Sequence, residues 1–189
     1  SMITESSIAL GNVVISNDQI YWNELRPSEK GRSVIVSLNK DLLNPAYNAR
    51  TRVHEYGGAP FTVHRDVLYF SNFKDGHFYK ELPSGEIIDL TKKDNMRYAN
   101  PLFDEGRNVL YAVEEEHRSE HDVINRLVII DPNGDDLPKV IHSGHDFYAS
   151  CALNSEKTHL AYLTWDHPNM PWDGTQLMLG KLNQEGTFE

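Results

Sequence analysis

Asp104-Glu105-Gly106-Arg107-Asn108, running straight into Val109-Leu110-Tyr111-Ala112-Val113, decides the fold. A polar turn with glycine leads into a short β-branched and aromatic run, which is the pattern of a turn followed by a strand. The same order recurs along the chain. Asn17-Asp18-Gln19 precedes Ile20-Tyr21-Trp22, Arg65-Asp66 precedes Val67-Leu68-Tyr69-Phe70, and Asn154-Ser155-Glu156-Lys157-Thr158 precedes His159-Leu160-Ala161-Tyr162-Leu163. The tyrosines at 21, 69, 111 and 162 mark a period of 42 to 51 residues.

Each unit contains more than one strand. A second run follows at 33–38, 77–82, 126–131 and 176–182, and the last three lead into tight-turn sequences such as Pro83-Ser84-Gly85 and Pro132-Asn133-Gly134. A further run precedes each tyrosine strand, and a weaker one follows the second turn, as in Ile87-Ile88-Asp89-Leu90. Apolar and polar residues alternate, with no helical period. Four short antiparallel strands per unit of about 45 residues is the pattern of propeller blades. The expected fold is therefore all-β, a partial β-propeller of about three and a half to four four-stranded antiparallel blades. The expected domain spans 3–189, with blades near 8–50, 51–93, 94–142 and 143–189. Ser1-Met2 reads as a cloning remnant before a start methionine.

Composition narrows the function. The 189 residues carry 28 acidic and 18 basic side chains, a net charge of −10, which argues against nucleic acid or an anionic membrane surface as partner. The single cysteine, Cys151, excludes an internal disulfide and a cysteine-based zinc site, and fits a cytoplasmic setting. Alternation of strands in a meander puts the long connections on one face, and long loops on a rigid scaffold are where binding usually resides. A ring needs about four to eight blades to close. The unit count therefore reads as either a very small propeller or part of a larger wheel, and the lack of a clear outer strand after Gly186 favours a part, cut inside the fourth blade. Unpaired strands at each end would invite self-association through exposed blade edges.

Four loop stretches carry a resemblance. They are Arg50-Thr51-Arg52-Val53-His54-Glu55-Tyr56-Gly57-Gly58, Tyr69-Phe70-Ser71-Asn72-Phe73, Ser143-Gly144-His145-Asp146-Phe147-Tyr148, and Trp165-Asp166-His167-Pro168-Asn169-Met170-Pro171-Trp172-Asp173-Gly174. Together they resemble the prolyl oligopeptidase superfamily of serine peptidases, in its acylaminoacyl-peptidase and dipeptidyl-peptidase-like branch. The resemblance implies an N-terminal propeller followed by a C-terminal α/β-hydrolase domain with a Gly-x-Ser-x-Gly nucleophile turn. This chain has no such pentapeptide, since Gly31-Arg32-Ser33-Val34-Ile35 lacks the closing glycine. No catalytic residue, metal or cofactor is therefore expected. The expected role is gating and orienting peptide substrates for a hydrolase domain absent from this chain. The other reading is a stand-alone protein-interaction propeller. The expected partners are that hydrolase domain and the peptide.

The candidate contact residues are Arg52, His54, Glu55, Tyr56, Glu115, Trp165, Asp166, His167, Trp172 and Asp173. The first four either form a polar rim facing substrate or the hydrolase domain, or make a structural crossover in which Glu55 pairs with Arg50 or Arg52. By chemistry, Glu55 or the Glu114-Glu115-Glu116 run suits the free amino terminus of a peptide, because a carboxylate matches an ammonium group. The segment 114–122 reads as a solvated acidic loop, in which the spacing of His117 and His121 fixes nothing. The 165–174 stretch is a loop stiffened by tryptophan and proline, which either covers a pocket or packs on itself.

Overall fold

The computed structural model describes residues 7–189 and consists of four antiparallel sheets in chain order. The reading of Ser1-Met2 lies outside the described residues. Blade 1 comprises β1 (Ala9–Ser16), β2 (Gln19–Arg26), β3 (Arg32–Ser37) and β4 (Lys40–Asp41). Blade 2 comprises β5 (Phe61–His64), β6 (Val67–Ser71), β7 (Phe78–Glu81) and β8 (Ile87–Asp89). Blade 3 comprises β9 (Met96–Asp104), β10 (Val109–His117), β11 (Val123–Ile130) and β12 (Lys139–His142). Blade 4 comprises β13 (Phe147–Leu153), β14 (His159–Trp165) and β15 (Gln176–Lys181), with Leu182 and Phe188 pairing beyond it. These are four blades of a β-propeller.

Local chemistry sets the tight turns. Asn17-Asp18, Leu38-Asn39 and Arg65-Asp66 each join strands through two left-handed residues, the geometry that matches the twist of a hairpin. Asn and Asp adopt it readily because their short side chains hydrogen-bond locally. The first strands lie side by side, with β5 touching β1 and β9, and β13 touching β9. The short turns then fall on one face. On the other fall the β2–β3, β6–β7, β10–β11 and β14–β15 loops, together with the crossovers between blades.

The core is three cores, one between each pair of neighbouring blades. Tyr21, Ile35, Phe61, Val63 and Phe70 join blades 1 and 2. Tyr69, Phe78, Tyr98, Leu110 and Val128 join blades 2 and 3. Tyr111, Leu127, Tyr148, Leu160 and Tyr162 join blades 3 and 4.

The repeat tyrosines explain the period. Each of the first three is the third residue of its second strand and reaches toward the next blade. The Tyr21 hydroxyl bonds Asp66 at 3.1 Å, Tyr69 packs on Phe103 with centroids 5.4 Å apart, and the Tyr111 hydroxyl donates to the Gly186 carbonyl at 3.0 Å. Tyr162 departs from this pattern. It is the fourth residue of β14, and one step along a strand reverses the face. It therefore points back toward blade 3, and Ala161 takes the repeat position. The first and fourth blades leave apolar faces uncovered: Val13 and Ile15 at 60% and 74% exposure, and Leu177 and Leu179 at 75% and 70%.

Candidate functional site

Residues 114–116 are strand, not solvated loop. β10 continues to His117, paired with Val123 of β11, and Glu114 and Glu115 are buried. The sheet holds them because each glutamate finds a cross-strand partner, and alternation sends the three to two faces. On one face, Arg126 donates to Glu114 at 3.0 Å and also pairs with Glu116, while the buried Tyr98 hydroxyl donates to Glu114 at 3.0 Å. On the other face, Glu115 stands opposite Arg97 on β9 and Asn125 on β11.

Glu115 is the hub of that second face. Its Oε1 accepts from His117 Nε2 at 2.6 Å and from Arg97 at 3.4 Å. Its Oε2 accepts the backbone N–H of His54 at 2.8 Å, which anchors the crossover from blade 1 to blade 2. His54 Nε2 meets Asn125 Oδ1 at 3.1 Å. Burial pushes the His54 imidazole below its ordinary value, partly opposed by the nearby Glu115 charge. A neutral ring therefore sits over the buried carboxylate at neutral pH.

The crossover is strained where it turns. His54 and Glu55 both adopt positive φ, 57° and 67°, which few side chains other than Asn and Asp tolerate. Gly57 follows at φ 92°, where a Cβ would stand 3.0 Å from the Thr51 carbonyl. Local bonds hold the shape, including Glu55 N–H to the Arg52 carbonyl and Gly57 N–H to that of Val53, both at 2.9 Å. Glu55 pairs with neither Arg50 nor Arg52. Its partner is Arg97, at 2.7 Å, which holds its carboxyl below the usual carboxylate range.

The second wall comes from blade 4. Phe147 and Trp165 are register partners whose rings stack at 5.2 Å, and the His54 ring meets both edge-on. Two aspartates clasp the loops that carry these rings. Asp166 accepts from His145 Nδ1 at 2.8 Å and from the Asp146 N–H at 2.7 Å. Asp146 in return accepts the N–H and Nδ1 of His167 at 2.9 and 2.8 Å. These bonds hold both carboxyls below their ordinary values.

Together these groups frame a cleft of about 380 Å³ on the loop-rich face, bordered by His54, Glu55, Glu115, Asn125, Phe147 and His167. Tyr56 leans on His54 at its rim, with ring centroids 5.6 Å apart. Arg52 borders a smaller depression of about 210 Å³ beside it, shared with Arg97 and His117. Trp165 and Asp166 do not line the cleft; Trp165 packs against Phe147 and His54, and Asp166 bonds His145 and Asp146. Trp172 is 77% exposed and Asp173 accepts the N–H of Met170 on its own loop at 2.6 Å; neither lines the cleft. His121 reaches the rim, and Asn125 and Asp146 line the cleft although neither is among the candidate contact residues. Arg97 does not line it but bonds Glu55 and Glu115, which do. Cross-strand register is what brings Arg97 and Asn125 to Glu115. Among the described residues, no cluster of three or more His, Cys, Asp or Glu side chains is arranged to hold a metal ion.

What fold and cleft define is a β-propeller segment with a carboxylate-rich, aromatic-walled depression on its loop face. Over almost its whole length that segment matches the N-terminal propeller of prolyl oligopeptidase-family peptidases. A puromycin-hydrolyzing peptidase of Mycobacterium tuberculosis matches at a TM-score of 0.89 and 27% identity, covering 99% of this chain and 32% of its own. A puromycin hydrolase matches at 0.89 and 26%, with 99% and 32% covered. TolB from Acinetobacter baumannii, at 0.58 and 10%, shares the fold alone. The chain thus spans about a third of the length of the two hydrolases it matches. No family profile and no curated protein sequence matches it. No helix among the described residues is long and apolar enough to cross a membrane.

Proposed function

We propose that this chain is the non-catalytic propeller part of a peptidase, and that its cleft receives the free amino end of a short peptide. The observation that carries this reading is the juxtaposition of Glu55, Glu115 and Asp146 with the Phe147, His54 and Tyr56 rings. Carboxylates and aromatic faces both favour an ammonium group, and the partly buried setting strengthens each contact. Hydrolysis belongs to an α/β-hydrolase domain outside this chain, for which the propeller gates and orients substrate. The whole protein acts in a reducing compartment, the cytoplasm. The lone cysteine, which can form no internal disulfide, supports this. The apolar faces of blades 1 and 4 suit a second copy, because inside the chain the same kind of face is covered by the next blade.

The test is binding of Gly-Phe-Gly to the chain, followed by NMR or calorimetry, against its N-acetylated form. Acetylation removes the ammonium charge and is expected to weaken binding by about tenfold, the scale of a lost charge-assisted bond. Equal affinity for the two forms would contradict the reading.

A further inference from the structure

Arg50 and Arg52 stand apart from the other arginines. The chain has nine, and the remaining seven each form a salt bridge with a carboxylate. Among the described residues no carboxylate pairs with Arg50 or Arg52, although acidic side chains outnumber basic ones by 28 to 18. Both are exposed. Their guanidiniums rest on one ring, that of Phe73, at 4.8 and 5.1 Å from its centroid. Phe73 is itself half-buried, and its N–H is bonded to the Asn48 carbonyl at 2.9 Å. Stacking on a fixed ring orients two long side chains before any ligand arrives, which lowers the ordering cost of binding.

Arg52 lies close enough to Glu55 for their charges to interact, but neither arginine is within salt-bridge distance of a carboxylate among the described residues. Two cations held on one ring in this way attract an anion, and a guanidinium fork matches a carboxylate in particular. Their position says which one. Arg50 borders a depression of about 510 Å³ that Tyr56 and Gly57 also line, and Arg52 borders the one beside the acidic cleft. A single Arg97 nitrogen holds both the Arg52 carbonyl, at 2.8 Å, and the Glu55 carboxylate, at 2.7 Å. One crossover therefore presents a carboxylate-rich cleft beside two cations that form no salt bridge among the described residues. That polarity complements a short peptide, which carries an ammonium at one end and a carboxylate at the other, two or three extended residues spanning roughly 7–11 Å.

We propose that Arg50 and Arg52 bind the free carboxylate of a short peptide, making the site selective for di- and tripeptides with an unblocked carboxyl end. The inference rests on the reading of the cleft as an amino-end site. The probes are Gly-Phe-Gly, its C-terminal amide and its N-acetyl form, titrated into the chain and into a variant carrying R50Q and R52Q together. Circular dichroism confirms the fold of the variant, whose two changes are at exposed positions. In the unaltered chain the amide is expected to bind about tenfold more weakly than the free peptide. In the double variant that difference disappears, while the effect of N-acetylation persists. An amide that binds as tightly as the free peptide overturns the proposal even if the amino end matters. An effect of amidation without one of acetylation sinks the amino-end reading and leaves the carboxylate site standing. Failure of every peptide to bind overturns both.

Discussion

Glu115→Ala is expected to destabilise the fold by about 3 kcal/mol, the low end of what removing one partner of a buried ion pair costs. The carboxylate is only 2% exposed and satisfies three donors from three different places: Arg97 on β9, His117 on its own strand, and the His54 backbone. Its removal leaves the Arg97 guanidinium facing the sheet without its buried counter-charge, and the His54 N–H without an acceptor. The left-handed turn at His54 and Glu55 then loses one of the bonds that hold it. The measurement is the urea midpoint of the variant. Arg97 keeps its 2.7 Å pair with the exposed Glu55, so replacing Arg97 by Met in the same chain is expected to recover little of the loss, most of which lies in the His54 N–H and His117 left without their acceptor. A loss under about 1 kcal/mol would mean that Glu115 is solvated rather than central.

Phe70→Ala is expected to cost about 3–5 kcal/mol, the range for truncating a fully buried aromatic side chain. Phe70 has no exposed surface and sits in the core shared by blades 1 and 2. Tyr47 meets it edge-on at 5.7 Å and Tyr79 stacks at 5.9 Å, so the cavity opens between the two sheets. Ring contacts add to the lost transfer energy. Thermal unfolding checks the size of the effect. Near-neutral behaviour would mean that blades 1 and 2 do not share this core.

These two residues also show what was legible in the sequence. Phe70 lies in a strand that alternation and the tyrosine period located directly, because blade packing repeats the same side chain on the same face. Tyr162 looked like a fourth instance and is not one. A one-residue offset in β14 leaves spacing nearly unchanged and reverses the direction of the side chain. The cleft was half legible. His54, Glu55 and Tyr56 stood out because Gly57-Gly58 and a charged run mark a loop. Glu115 stood out only as one of three adjacent acids, and three adjacent charges suggested solvent. What buries Glu114 and Glu115 is pairing with Arg97, Asn125 and Arg126, which lie 10 to 18 residues away along the chain. Charge pattern along the chain does not reveal register across it. The expected pairing of Glu55 with Arg50 or Arg52 failed for the same reason: the nearest cations in sequence were not the nearest in space.

The proposed division of labour, a substrate-orienting propeller with chemistry carried elsewhere, is tested most directly by turnover. Purified chain, incubated with dipeptide and acyl-peptide chromogenic substrates, is expected to release no product above the buffer rate. The reason is that it contains no Gly-x-Ser-x-Gly turn to activate a serine. Product release that a serine-directed covalent inhibitor abolishes would contradict the account, because the chain would then hold a nucleophile of its own.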